Sequence, residues 1–138
     1  MYNEQNAPWI QCSLQVCLQV ALPERVAVAC QISGAAPVND WFDYLSEEAP
    51  YKMWNIGTAV EHYAATIPSA AWATLDELVA NRLAAVRIQA TAYFGEYTPA
   101  FDLSVNAMHV LAQHHIGICF VLHPGWDMSV IPNDMIGG

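Results

Sequence analysis

Residues Ile10-Gln11-Cys12-Ser13-Leu14-Gln15-Val16-Cys17-Leu18-Gln19-Val20 decide how the chain is read. Cys12, Leu14, Val16, Leu18 and Val20 share one side of a period of two, and Gln11, Ser13, Gln15, Cys17 and Gln19 share the other. Successive side chains of a strand point to opposite faces, so this segment is a strand with one apolar and one neutral polar face. Ala84–Phe94 repeats the pattern, with Val86, Ile88, Ala90, Ala92 and Phe94 inward and Arg87, Gln89, Thr91 and Tyr93 outward. A sheet of such strands buries one side and leaves the other to solvent or a partner, which favours α+β over a doubly wound α/β sheet.

The remaining elements are read outward from these two strands. Pro23-Glu24-Arg25 starts a short helix that ends at Gly34. Asp40–Glu48 has a helical pattern with Asn39 as its cap. Tyr51–Thr58 alternates as a strand, and a loop follows to Pro68. Ser69 or Thr74 caps the next helix, and Thr74-Leu75-Asp76-Glu77 has the form of a capping box. Trp72, Leu75, Leu78, Val79 and Leu83 fall on one face of that helix. Ser104 caps Val105–Gln113, whose apolar stripe is Val105, Met108, Leu111 and Ala112. Ile116–Leu122 is a short apolar strand, and Pro124–Gly138 is a C-terminal tail with Trp126 and Met128 as packing anchors. The order predicts one domain over residues 1–138. Its α+β fold is a single four- to five-stranded, mostly antiparallel sheet with helices packed on one face.

Composition narrows the function. The chain has 138 residues, 55% of them hydrophobic and 12% charged. That excludes the disordered class. Four Lys plus Arg stand against thirteen Asp plus Glu, for a formal charge of −9. So few cations cannot neutralise many phosphates, which argues against direct nucleic-acid binding and against anionic membranes. A partner chosen by electrostatics is a basic one. The N-terminus lacks the pattern of a secretory signal. Gln5–Pro23 and Leu103–Trp126 carry no Asp, Glu, Lys or Arg, yet their polar punctuation does not read as a membrane span. Cys12 and Cys17 lie on opposite faces of one strand and cannot pair with each other. Four reduced cysteines in a cytoplasmic protein are expected.

His109, His114, His115, Cys119 and His123, with Asp127 beyond, are all metal-competent residue types. Their spacing is poor. His109 and His114 are rotated about 140° apart on a helix, and Cys119 and His123 lie about 13 Å apart along a strand. No nucleophile elbow or phosphate loop occurs, and Asp76-Glu77 is explained by capping. A non-enzymatic protein without a cofactor is therefore expected.

The acidic segment carries more information. Asp40, Asp43 and Glu47, spaced i, i+3, i+7, form one stripe if the segment is helical. Trp41, Tyr44, Leu45 and Glu48 form the adjoining stripe. Carboxylates for steering beside aromatic anchors suit an interface with a basic protein. The expected partner-binding residues are Asp40, Trp41, Asp43, Tyr44, Glu47 and Glu48.

Tyr51-Lys52-Met53-Trp54-Asn55-Ile56 followed by Thr74–Leu83 resembles a strand and helix pair of a bacterial family of small α+β domains of unknown function. Phe94-Gly95-Glu96-Tyr97-Thr98-Pro99-Ala100-Phe101-Asp102-Leu103-Ser104 is similar to that family's hairpin into its last helix. Leu111-Ala112-Gln113-His114-His115-Ile116-Gly117-Ile118 is similar to its closing helix–strand junction. The resemblance covers about half the chain and includes no catalytic motif. Such small acidic domains resemble immunity proteins, which implies an inhibitor that docks on a basic toxin or nuclease. The alternatives are a nucleic-acid mimic from a phage and a small metal- or thiol-dependent enzyme using the His109–His123 cluster. A homodimer through the polar faces of Ile10–Val20 and Ala84–Phe94 is a further expectation.

Overall fold

The computed structural model describes residues 6–45 and 49–127. In chain order the elements are β1 (Trp9–Leu18), α1 (Glu24–Ala29), β2 (Trp41–Asp43), β3 (Ala49–Lys52), α2 (Ile56–Thr66), α3 (Ser69–Ala80), β4 (Ala84–Tyr93), α4 (Val105–Gln113) and β5 (Ile116–His123). β1 and β4 pair antiparallel along their whole length, from Trp9 opposite Tyr93 to Leu18 opposite Ala84. β5 runs parallel to β4 on its far side. β2 and β3 follow one another along the other side of β1, both antiparallel to it. The result is a five-stranded, mostly antiparallel α+β sheet.

The alternation does what the sequence predicts. Ile10, Cys12, Leu14 and Val16 of β1 and Ile88, Ala90 and Ala92 of β4 are wholly buried. They form one core with Ile56, Val60 and Tyr63 of α2, Leu75 and Leu78 of α3, and Leu111 of α4. Each large aliphatic side chain buried there contributes roughly 1.5–3 kcal/mol. The helices thus pack on the even-numbered face of the sheet, and the odd-numbered, open face is only partly exposed, with Ser13, Cys17, Thr91 and Tyr93 buried there by their neighbours.

Three local expectations are corrected. Asp40–Glu48 is not a helix: Trp41–Asp43 is β2, and residues 46–48 lie outside the described residues. Trp41 and Asp43 alternate with Phe42 and Tyr44, and bulky aromatic residues suit a pleated surface. The unpaired side of β1 supplies the bonds, since the Tyr44 amide donates to the Leu14 carbonyl at 2.8 Å. The strand expected over Tyr51–Thr58 stops at Lys52, and α2 takes over from Ile56 through the stretch expected to be a loop. Asn55 caps it by accepting from the Gly57 and Thr58 amides. Ile56, Val60, Tyr63 and Ile67 then recur at helical spacing. Finally, Thr74 is not a cap. It sits inside α3 with its hydroxyl donating to the Ala70 carbonyl at 3.0 Å. Pro68 precedes the helix, and the alanine-rich turn after it carries α3 upstream of the capping-box pattern.

Smaller differences follow from backbone conformation. α1 ends at Ala29, before Gly34, because Gln31 turns left-handed at φ 57. α4 begins and ends as expected, with Ser104 accepting from the Ala107 amide. Its inward side chains are Ala107 and Leu111, whereas Val105 and Met108 are 80% and 49% exposed.

Candidate protein-binding face

The open face displays the odd-numbered residues of β1, β4 and β5 with those of β2. One row crosses four strands, from Asp43 through Gln15 and Arg87 to Gly117. Arg87 Nε donates to Gln15 Oε1 at 2.8 Å, and Gln15 Nε2 donates to Asp43 Oδ1 at 3.1 Å. The Arg87 guanidinium also lies 4.1 Å from the centre of the Trp41 ring. Such a contact is worth about 0.5–2 kcal/mol, according to how dry it is. At the other end of the strands the row runs Lys52, Trp9, Tyr93, His123. Lys52 Nζ lies 5.1 Å over the Trp9 ring. Tyr93 stacks on His123 at 5.0 Å and meets the edge of Trp126 at 5.1 Å. Two tryptophans, each under a cation, are thus held in place on the sheet with their side-chain freedom already restricted.

The expected site residues separate. Trp41 and Asp43 share the open face. Tyr44 points to the opposite face, where its hydroxyl donates to the Cys30 carbonyl at 2.8 Å. There it lines a hollow of about 200 Å³ with Ala71 and Thr74, and burial pushes its phenol pKa up. Asp40 accepts from the Trp41 amide at 2.9 Å, fixing the entry to β2. Glu47 and Glu48 lie outside the described residues. Asp40 and Asp43, three positions apart across a strand of period two, do not share the helical stripe that their spacing suggested. Asp43 is the one carboxylate among the described strand residues, alongside the cations Lys52 and Arg87. Glu61, Asp76 and Glu77 stand on α2 and α3 instead.

The histidine and cysteine cluster is divided as well. His114 ends α4, with Nδ1 at 2.9 and 3.0 Å from the two Asp76 carboxylate oxygens and its ring stacked on Trp72 at 4.3 Å. His109 is exposed on α4, while Cys119 and His123 stand on β5 at open-face positions. Among the described residues no three His, Cys, Asp or Glu side chains gather closely enough to share a metal ion. All four cysteines are free. Burial pushes the Cys12 thiol up to about 12. It also raises Cys30, with Glu77 adding to the effect. Both shifts disfavour the thiolate that nucleophilic chemistry needs.

Sequence reasoning placed Arg87 outward without giving it a role. Its hydrogen-bond partner Gln15 lies 72 positions away in the chain, Asp43 beyond it bonds Gln15 in turn, and only strand register brings the three into one row. Asp76 and His114 likewise meet through packing of α3 against the end of α4. Comparison with protein-family models, with curated proteins and with solved structures finds no match for this chain.

Proposed function

We propose that this chain is a non-enzymatic binding protein of the immunity type, which docks on a basic toxin or nuclease through the open face of its sheet and blocks it. The observation that carries the reading is Trp41 held under Arg87, within the bonded row that runs through Gln15 to Asp43. Tryptophan, tyrosine and arginine dominate the energetics of protein interfaces, above all where neighbouring contacts exclude water. The acids act at longer range. A formal charge of −9 speeds encounter with a basic partner through the field of the whole molecule, while the near-neutral docking face avoids desolvating carboxylates.

The test uses immobilised full-length chain and an extract of its source organism, loaded at low salt and then washed at moderate salt. One basic protein is retained by the wild type, is weakened by salt, and is lost from the Trp41→Ala/Arg87→Ala double variant. Retention of the same protein by that variant, or recovery of no basic protein, overturns the reading.

A further inference from the structure

We infer that the outer edge of β5 joins two copies of this chain, β5 against β5 antiparallel about a two-fold axis normal to the sheet. The two edges of the sheet differ in a way that points there. On one edge, β2 and β3 are only three and four residues long. That edge is interrupted between them and carries Asp43, Pro50 and Lys52. Short strands, charges, proline and interruptions are the devices that keep sheet edges from pairing with other chains. β5 has none of them. Its eight residues, Ile116-Gly117-Ile118-Cys119-Phe120-Val121-Leu122-His123, include no proline and no Asp, Glu, Lys or Arg. They pair with β4 without a bulge. Among the described residues no strand lies on the outer side of β5. Phe120 and Leu122 on its helix side are 41% and 50% exposed. Phe101 meets Phe120 at 4.3 Å and widens the apolar border.

The charge distribution selects a second copy as the occupant. Leu103–Trp126, which holds α4 and β5, contains no Asp, Glu, Lys or Arg in a chain of formal charge −9. Two copies repel one another least where both are uncharged. Antiparallel pairing about the two-fold places identical faces side by side, since directly opposed residues share a face. Phe120 and Leu122 then meet the same strand of the other copy. Helices stay with helices, and the two open faces form one surface. The pairing leaves Trp41 and Arg87 uncovered, so it stands or falls independently of the partner reading above.

Sedimentation equilibrium of the full chain, run across a concentration series, tests this directly. The expected mass is twice that of the chain, and Leu122→Lys raises the dimer dissociation constant about 100-fold by opposing like charges at the contact. Val28→Lys, at a position 71% exposed on α1, leaves the mass unchanged. Amide hydrogen exchange of the wild type gives a second readout that does not depend on a variant folding. Outward amides of β5 gain protection as concentration rises. A wild type that stays at single-chain mass, β5 exchange independent of concentration, or a dimer broken equally by Val28→Lys overturns the inference.

Discussion

Among the described residues the buried Tyr63 hydroxyl on α2 has no partner within hydrogen-bond geometry; the Leu14 backbone lies near enough only to offset in part the burial that pushes the phenol up to about 12. An unsatisfied buried polar group costs on the order of 1–3 kcal/mol. Tyr63→Phe removes the group and keeps the ring, so it is expected to raise stability by about 1 kcal/mol. An unchanged or lower urea midpoint would show that the hydroxyl is satisfied in solution. At this scale the sequence is informative wherever a residue lies on a regular strand. Cys12 reads as inward and Arg87 as outward from alternation alone. Tyr63 does not, because the sequence predicts a loop over the stretch before Pro68. The partners of Arg87 were hidden too, because a hydrogen bond between side chains on different strands depends on register.

The start of α2 shows how one element is seated by another. Asn55 Oδ1 accepts from the Gly57 amide at 2.9 Å and from the Asp102 amide at 3.0 Å. One side chain thereby caps the helix and fixes the segment that leads into α4. Gly57 lets the backbones touch, since a Cβ there would collide with the Asp102 carbonyl. Alanine usually stabilises a helix by about 1 kcal/mol relative to glycine. Gly57→Ala is therefore expected to reverse the usual sign and cost about 1–3 kcal/mol through overpacking. A urea midpoint that rises would place the Asp102 segment further away. The misread elements share one cause. Asp40–Glu48 has acids at helical spacing as well as aromatics at strand spacing, and Asn55-Ile56-Gly57-Thr58 continues an alternation that Asn55 in fact ends. The unpaired side of β1 decided the first, and the Asp102 segment the second.

At the scale of the whole molecule, the core ties stability to pH on the alkaline side. Cys12 and Tyr63, ordinarily near 9.0 and 10.0, are both held neutral by burial up to about 12. Both lose their protons earlier in the unfolded chain, so the unfolded state binds fewer protons and stability falls as pH rises. The contribution is complete below about pH 9 and is lost progressively towards pH 12. The slope reaches roughly 1.4 kcal/mol per pH unit for each linked proton. Urea midpoints measured from pH 8 to pH 11 are expected to decline above pH 9, and Tyr63→Phe is expected to flatten the steeper part above pH 10. A level profile would mean that both groups ionise as freely folded as unfolded.

The amino-acid sequence by itself determined the two long strands, their inward and outward faces, the last helix with its serine cap, and hence a sheet covered on one side. These follow from periodicity and local capping, which involve residues close together in the chain. Only the tertiary structure decided that the aromatic acidic segment extends β1's edge, that Arg87 joins Trp41 to Gln15 while Gln15 in turn reaches Asp43, and that His114 pairs with Asp76. Each of these joins residues far apart in the chain, where register and packing, not spacing, set which side chains meet.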